Sequence, residues 1–475
     1  MRAPFPWKWV GLFALLKLAA TLPFANRYGW HGDELYFVAA SRHLDFGYVD
    51  FPPIVPLIAG ADQAVAPGSL VALRLAAALG GVAVLVLTAL IARELGATTR
   101  AQAWAALALL LSPVFLGANG LFHTATFDQL LWAAALLVFI RFLRTGQQKL
   151  WLLVGLIIGV GFETKLTIAA LPVALFLGIL VSSRRSMLVS PWPWLGAAIA
   201  LLVFLPNIWW QATHDWISVQ YVVSHRGHTD GPFAYWWQQF LVFFNPLFVV
   251  PAVAGLVVLR KDERFNAVVY GVIAVELVFF ALGGKSYYAA PIYPVAYAAG
   301  AIWLDAKLRS RVWTGVFATA SILVVLVLAP ALLPLAPVPS GVFDDEVGWP
   351  ELAQQTAQVY DSLPSDQQAS TMVLAHYYHE AAAIDFFGPA SGLPHAVSPH
   401  LSYWYWAPPR MNPTTVVMIN FTVDEGDRLF TDCRQVATIT NSEGIHNNEY
   451  GAPIIVCSNP RKPLWSVWRA LQTLD

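Results

Sequence analysis

The chain has 475 residues, of which 57% are hydrophobic and only 12% are charged, and its formal net charge is −1. Soluble domains carry about 25% charged residues, so most of this sequence does not form the surface of a soluble protein. The balanced charge also excludes the basic stripe of a nucleic-acid-binding protein, and no nucleic-acid partner is predicted.

Apolar segments of about the length of a transmembrane helix occupy the first two thirds of the sequence. We predict eleven, at residues 7–25, 69–91, 101–119, 125–142, 150–163, 166–182, 191–210, 236–259, 265–283, 287–304 and 312–333. The first follows Arg2 and Lys8 but contains Lys17 and lacks a small-residue cleavage site, so we expect an uncleaved anchor. The sequence therefore predicts a polytopic α-helical membrane domain over residues 1–334.

Lys and Arg are unevenly distributed between the loops that join these segments. With a cytoplasmic N-terminus every inner loop is basic, which the positive-inside rule requires. This orientation places loops 26–68 and 211–235 outside, together with everything after residue 334. The outer side still contains isolated cations, namely Arg27, Arg42, Lys165, Arg226 and Lys285. Such a cluster suits a phosphate or an anionic lipid headgroup, with snorkelling or local ion pairing as the alternative.

The first outer loop carries adjacent carboxylates, Asp33 and Glu34, and a third, Asp50, shortly before Pro52-Pro53. Carboxylates close to a membrane are costly and often mark an ion or substrate site. A helix N-cap followed by a first-turn acid is the alternative. A divalent cation held by Asp33, Glu34 and His31 is a further alternative. The outer side also carries His123, His225 and His228, although no spacing requires a metal.

Residues 341–475 have an ordinary soluble composition and alternate between helical and strand patterns. We predict helices over 351–362, 380–387, 424–430 and 464–474, and strands over 372–375, 415–420, 436–440 and 453–457. This alternation predicts a small α/β domain outside the cytoplasm. Cys433 and Cys457 match no zinc spacing, and both a disulfide and two reduced thiols remain open.

Several motifs occur in a fixed order along the outer side. They are Asp33-Glu34-x-Tyr36, Ala39-Ala40-x-Arg42, Asp50-Phe51-Pro52-Pro53, Phe127-Asp128, Lys165, His225-Arg226 before Trp236-Trp237, and Lys285-Ser286-Tyr287-Tyr288 with Pro291 and Tyr293-Pro294. Their order resembles the GT-C superfamily of membrane glycosyltransferases, in the branch of protein O-mannosyltransferases and lipid A aminoarabinose transferases. Related enzymes often carry Lys or His directly before the Pro-Pro pair, where it contacts phosphate. Because Phe51 stands there, we expect the phosphate contact elsewhere.

The resemblance implies an inverting glycosyltransferase on the outer face of a bacterial cytoplasmic membrane. It would transfer a sugar from a polyprenyl-phosphate donor to a hydroxyl of a glycan, lipid or protein. The catalytic candidates are Asp33 and Glu34, and the interface and the neighbouring acid are expected to raise the pKa of Asp33. The candidates for donor phosphate binding are Lys165, Arg226 and Lys285, supported by Asp50, Asp128, Tyr36, Arg42 and Tyr288.

Two other classes of protein compete with this interpretation. A lipid or sugar transporter, or a flippase, would also need a large bundle with buried charges, but no inverted repeat is visible. A non-catalytic protein that binds partners through residues 341–475 is the other alternative. A site at the outer membrane level favours the transferase, whereas a midplane site with two gates favours transport.

Overall fold

The computed structural model describes residues 2–225 and 231–474, and apolar helices fill the N-terminal two thirds. These are α1 (Trp7–Thr21), α2 (Gly32–Ser41), α3 (Ile54–Val65), α4 (Leu70–Glu94), α5 (Thr99–Leu110), α6 (Pro113–Ala118), α7 (Thr124–Thr145), α8 (Leu150–Phe162), α9 (Ala170–Val181), α10 (Pro191–Thr213), α11 (Ile217–Ser224), α12 (Gly231–Trp237), α13 (Pro246–Leu259), α14 (Asn266–Ala281), α15 (Tyr293–Lys307) and α16 (Arg311–Leu332). Each predicted apolar segment overlaps at least one of them.

Length and composition qualify only some of these helices as complete membrane spans. Within the described ranges, five are long and apolar enough: α1 with its short 3-10 extension, α4, α7, α10 and α16. The bent pair of Gly231–Phe243 and Pro246–Leu259 would make a sixth, and α8, α14 and Leu166–Val181 are shorter apolar helices. The helices indicate a multi-pass membrane protein, while the number of eleven crossings stays a prediction.

Two segments predicted as transmembrane helices are interrupted directly before a proline, so neither is one continuous helix. The segment 236–259 bends by 104° before α13, and 101–119 divides into α5 and α6 at Ser112-Pro113. A proline disfavours a helical conformation in the residue before it, so a helix ends there. Asn245 then caps α13, because its side chain accepts a hydrogen bond from the amide of Leu247 at 3.2 Å.

The C-terminal region, residues 341–474, contains a mixed sheet. Its helices are α17 (Trp349–Asp361), α18 (Ser365–Gln368), α19 (Tyr378–Phe387), α20 (Tyr403–Trp406), α21 (Val423–Leu429) and α22 (Leu464–Val467). Its strands are β1 (Thr371–Ala375), β2 (Ala396–Val397), β3 (Thr415–Ile419), β4 (Phe430–Thr438) and β5 (Pro453–Pro460). The sheet order is β2-β1-β3-β5-β4, in which β1 is parallel to β2 and β3, and β5 is antiparallel to β3 and β4.

Three details of this region differ from the sequence prediction. Strand β2 was not predicted, because two residues are too few to give a pattern. Strand β4 starts at Phe430 rather than at residue 436. The predicted terminal helix over 464–474 is reduced to α22 and a 3-10 turn. Trp404 and Trp468 hold that turn, since each indole N–H donates to the other residue's carbonyl at 2.9 and 3.0 Å.

The two cysteines face each other across neighbouring strands. Cys433 in β4 pairs directly with Cys457 in β5, with their Cα atoms 4.1 Å apart, and the two form a disulfide. Of the two alternatives that the sequence left open, the structure therefore has the crosslink.

The C-terminal region packs on the helices of the first loop instead of standing apart. Tyr36 and Phe37 of α2 share one buried cluster with Trp349 of α17 and Val417 of β3. Backbone groups also cross the contact, because the amide of Ser402 donates to the Tyr36 hydroxyl at 3.0 Å. One face of the loop over residues 26–68 is therefore completed by residues more than 300 positions away in the sequence.

Candidate active site

The acidic pair lies in the first turn of α2, as the helix-cap alternative expected, but the N-cap residue is His31. Its Nδ1 accepts a hydrogen bond from the amide of Asp33 at 3.2 Å, and Glu34 Oε2 accepts one from the amide of His31 at 3.0 Å. This reciprocal capping satisfies amides that a helix start otherwise leaves free. It also points the two carboxylates in different directions.

Glu34 lies in a fully buried ion pair. Arg74 of α4 donates to both of its oxygens, from Nε at 2.9 Å and from Nη2 at 2.7 Å. The amide of Phe122 donates to Oε1 at 2.9 Å, and Arg74 also contacts Glu346 at 3.3 Å. The side chain of Glu34 has no exposed area, so its environment is that of a residue that fixes α2 rather than one that contacts substrate.

Arg74 was not singled out from the sequence, although a signal for it existed. It is the lone charged residue in the first four turns of α4, and charges within apolar membrane segments are usually paired and functional. Its partner Glu346 could not be identified in this way, because it belongs to an unremarkable acidic stretch of the C-terminal region.

Asp33 points away from this ion pair into a partly exposed group of polar and aromatic side chains, which we call the pocket. Its Oδ1 accepts a hydrogen bond from the Tyr378 hydroxyl at 2.7 Å, and its Oδ2 lies 3.3 Å from Nε2 of His123. His123 caps α7 through Nδ1, which accepts from the amide of Ala125 at 3.1 Å. Since Nδ1 is an acceptor, Nε2 carries the proton and donates to Asp33.

These donors determine the charge of Asp33. Burial alone would raise the pKa of its carboxyl, but the hydrogen bond from His123, the electrostatic interactions with the imidazoles of His31 and His123 and the hydrogen bond from Tyr378 hold the pKa well below its usual range. The expectation of a raised pKa was therefore wrong, because it considered the neighbouring acid and not the donors. Asp33 is ionised at neutral pH, and its side chain remains 28% exposed.

Asp50 has the opposite environment. Its Oδ1 accepts a hydrogen bond from the Tyr36 hydroxyl at 3.1 Å. Burial, followed by the negative charge of Asp33, raises the pKa of Asp50 to about 7. The pKa values of the two carboxyl groups in this pocket are thus shifted in opposite directions, a pattern typical of sites that hold and move protons.

The raised pKa of Asp50 predicts a pH-dependent stability. Between pH ~4 and ~7 the unfolded chain has Asp50 ionised while the folded chain retains the proton, so the free energy of unfolding falls as pH rises. We expect Asp50→Asn to melt at a higher temperature than the native protein at pH 8, with a difference that shrinks at pH 5. The titratable groups that interact with the Asp50 carboxyl are Asp33, Tyr36, Tyr221 and Tyr378. The substitution Asp50→Asn removes none of them.

The measurement is the thermal melting temperature in detergent across this pH range. Asp424→Asn, at an exposed position of the C-terminal region, is the matched control and should show no pH-dependent difference. A melting difference for Asp50→Asn that is constant from pH 5 to 8 would contradict the assignment.

Of the predicted cations, Lys165 reaches this pocket. It follows α8, and its Nζ lies 5.3 and 5.2 Å from the ring centres of Tyr287 and Tyr288. Burial lowers the pKa of His123, which donates to Asp33; the Asp33 carboxylate opposes this shift and the charge of Lys165 adds to it. Lys285 is exposed at the start of the 3-10 segment Ser286–Ile292, and Arg226 lies outside the described residues.

The other supporting candidates are distributed around the pocket. Asp128 accepts hydrogen bonds from Trp132 at 3.0 Å and Thr167 at 3.1 Å, which anchors the segment just after Lys165. Arg42 instead donates to the carbonyl of Asp385 at 3.2 Å and binds α2 to the C-terminal region. Phe51 is buried against the rings of Tyr36, Phe37 and Tyr48 at 4.9 to 5.1 Å, so its position supplies no phosphate contact.

The residues of the metal alternative have protein partners in the structure. Nδ1 of His31 lies 3.1 Å from Oδ2 of Asp345, and both oxygens of Glu34 accept hydrogen bonds from Arg74. Within the described part of the chain, a set of at least three convergent metal-ligand side chains forms from His379, Glu380 and Glu449. The sequence had not suggested this set, since Glu449 is about 70 residues from the other two.

Comparison with known proteins agrees with the motif order. The family model for dolichyl-phosphate-mannose-protein mannosyltransferase matches residues 50–210. No curated protein matches the sequence. This family match covers about a third of the chain and includes α3 to α9 and most of α10.

Solved structures share the fold over nearly the whole chain. The ArnT structure from Cupriavidus metallidurans bound to undecaprenyl phosphate has a TM-score of 0.65 and 15% identity, covering 95% of this chain and 98% of ArnT. The Archaeoglobus fulgidus oligosaccharyltransferase with a tethered acceptor peptide has a TM-score of 0.57 and 14% identity, covering 83% of this chain and 63% of that enzyme. The mycobacterial arabinofuranosyltransferase AftD has a TM-score of 0.55 and 13% identity, and the match covers 97% of this chain and 42% of AftD. The family match and the shared fold confirm the resemblance to GT-C membrane glycosyltransferases.

Proposed function

We propose that this GT-C-type protein transfers a sugar from a polyprenyl-phosphate donor to an acceptor hydroxyl on the outer face of a bacterial cytoplasmic membrane. The observation that carries the proposal is that one histidine, His123, interacts with both a carboxylate, Asp33, and a cation, Lys165. His123 donates to Asp33, and the charge of Lys165 acts on the same imidazole. A base for the acceptor and a positive charge for the leaving phosphate are the two groups this reaction requires.

Each residue has a defined role in the proposed step. Asp33 accepts the proton of the acceptor hydroxyl, whose oxygen forms a bond to the anomeric carbon from the side opposite the phosphate. The bond between that carbon and the phosphate oxygen breaks, and the polyprenyl phosphate leaves with the electron pair. Lys165, with Lys285 and Arg226 as further candidates, stabilises the growing phosphate charge. Tyr378 and His123 hold Asp33 in place, and Glu34 fixes α2 through Arg74.

An apolar groove supports the binding of a long lipid tail. It has a volume of about 580 Å³ and lies between α8, α9 and α10, with Trp151, Ile158, Phe162, Phe176 and Phe204 among its lining residues. Phe162 ends α8 three residues before Lys165, so a tail in the groove could place its phosphate beside that cation. The related ArnT was solved with undecaprenyl phosphate, and the Archaeoglobus fulgidus enzyme was solved with a dolichol-phosphate.

The position of the pocket and the disulfide support an outer-face site. The pocket is built from the first turn of α2, the start of α7 and Tyr378 of the C-terminal region, so it lies at one end of the bundle and not at its middle. Disulfides persist in oxidising compartments, which agrees with an extracytoplasmic location of Cys433 and Cys457.

The experiment that tests the function is a transfer assay in proteoliposomes with a radiolabelled polyprenyl-phosphate sugar and cell-envelope extract as acceptor. We expect label to appear on the acceptor while polyprenyl phosphate is released. Movement of the intact donor across the bilayer without its cleavage would identify a transporter instead and overturn the proposal.

Removing the cation next to the pocket is expected to weaken donor binding. Lys165→Ala should raise the apparent KM for the donor about tenfold or more, because a charge-assisted contact to phosphate contributes about 1.5–3 kcal/mol. Lys261→Ala, at an exposed position after α13, is the matched control and should leave KM unchanged. The measurement is initial transfer rate against donor concentration, and an unchanged KM for Lys165→Ala would remove Lys165 from the phosphate site.

A further inference from the structure

A second polar cluster lies behind the candidate active site, within the C-terminal region. His379 and Glu380 belong to the first turn of α19, directly after Tyr378, and Glu449 comes from the loop that precedes β5. One ligand atom from each of the three side chains lies within 4.8 Å of the others. An imidazole and two carboxylates are thus directed at one point.

The two acids of this cluster are both buried, but they differ in how far hydrogen bonds compensate for that burial. Glu380 has no exposed area and Glu449 is only 4% exposed. Among the residues that the structure describes, neither oxygen of Glu449 has a hydrogen-bond partner. Its Oε1 lies 2.9 Å from Nε2 of His379, yet the two atoms do not have hydrogen-bond geometry. A buried carboxylate without hydrogen bonds is costly and normally signals a missing partner.

Glu380, in contrast, is already held in one orientation. Its Oε2 accepts from the amide of Tyr377 at 3.0 Å, and its Oε1 accepts from the side-chain amide of Asn420 at 2.7 Å. A carboxylate oxygen has a second lone pair, so both oxygens can still bind a cation. Hydrogen bonds of this kind orient the ligands of metal sites.

We infer that His379, Glu380 and Glu449 bind a divalent transition-metal ion, Zn²⁺ or Mn²⁺, which fixes the start of α19. Two carboxylates and a neutral imidazole balance a charge of +2, and the imidazole favours these ions over Ca²⁺ and Mg²⁺. The ion does not contact Asp33 but holds the residue beside Tyr378, whose hydroxyl donates to Asp33. This coupling to Asp33 rests on the proposed function, whereas metal binding does not.

The test measures metal directly on the full-length protein in detergent after chelator treatment and removal of any affinity tag. Zn²⁺ and Mn²⁺ are titrated separately by calorimetry, and bound metal is counted by mass spectrometry after desalting. We expect about one equivalent on the native protein. The affinity of Glu449→Gln should be lower by at least the about 10–100-fold that loss of an outer-shell partner costs, because Glu449 is a direct ligand. Glu443→Gln, an exposed neighbour in the same loop, should retain native affinity.

Each outcome is decisive. No stoichiometric binding to the native protein, or native affinity in Glu449→Gln, would overturn the inference. If Glu449→Gln fails to give monodisperse protein, His379→Asn decides in its place. If the protein binds metal but does not transfer sugar, the metal site is supported and the proposed function is contradicted. If the protein transfers sugar without bound metal, the proposed function is supported and the metal site is contradicted.

Discussion

Asp33→Asn is expected to reduce the rate of sugar transfer by a factor of about 10²–10⁴, the range that a positioned general base contributes. Asparagine has the size of aspartate and can still accept the hydrogen bond that Tyr378 donates at 2.7 Å, so the fold should be preserved. It cannot take a proton. The loss should therefore appear in kcat, with little change in the apparent KM for the donor.

The low pKa of Asp33 is compatible with this role. Tyr378 and His123 each occupy one of its oxygens, and each oxygen retains a lone pair for the acceptor hydroxyl. An ionised carboxylate is always ready to accept a proton, although its weak basicity limits the rate. Activity should consequently not be lost through protonation of Asp33 when the medium is mildly acidified.

Asp50→Asn is the discriminating companion variant, because Asp50 is the other carboxyl in the pocket and has a pKa of about 7. If Asp33→Asn retains native turnover as a monodisperse protein while Asp50→Asn loses it, then Asp50 is the base. Asp424→Asn, at an exposed position, controls for the loss of one negative charge. The measurement for all three is the transfer assay at saturating donor.

The second large effect is expected on stability, at the buried ion pair. Arg74→Met should lower the free energy of unfolding by about 3–5 kcal/mol, because it leaves charged groups buried without their partner. The side chains of Arg74, Glu34 and Glu346 are at most 2% exposed, so water cannot replace the lost contacts. Methionine retains most of the volume, which separates the loss of charge from the loss of packing.

A matched control is available in another ion pair of the same chain. Arg100 pairs with Asp305, and the two side chains are 45% and 13% exposed. Water therefore reaches the guanidinium, and ion pairs that water reaches contribute about 0–1 kcal/mol. Arg100→Met should therefore unfold almost like the native protein. The measurement is the fraction folded against the mole fraction of SDS in mixed micelles. Equal midpoints for Arg74→Met and Arg100→Met would show that the buried pair does not hold the first loop in place.

The double variant Arg74→Met with Glu34→Gln provides a further check on this ion pair. Since both single changes disrupt the same contact, the combined loss should be smaller than the sum of the two. Additive losses would mean that the two residues stabilise the fold independently.

The sequence alone determined the features that depend on local composition. Hydropathy over windows of about 20 residues located the apolar helices, and the alternation of patterns after residue 341 located β1, β3 and β5. The motifs around Asp33, Asp50 and Lys165 were sufficient to indicate the GT-C resemblance. These signals are readable because each is contained within a few neighbouring residues.

The tertiary structure decided which partners and which environment each candidate residue has. Adjacent acids that look equivalent in the sequence have different partners, since Glu34 faces Arg74 and Asp33 faces Tyr378 across a separation of 345 residues. The charge state of Asp33 follows from those partners, which explains why the expected direction of its pKa was wrong. The side-chain environment of a residue depends on contacts between distant segments, and spacing along one chain carries no record of them.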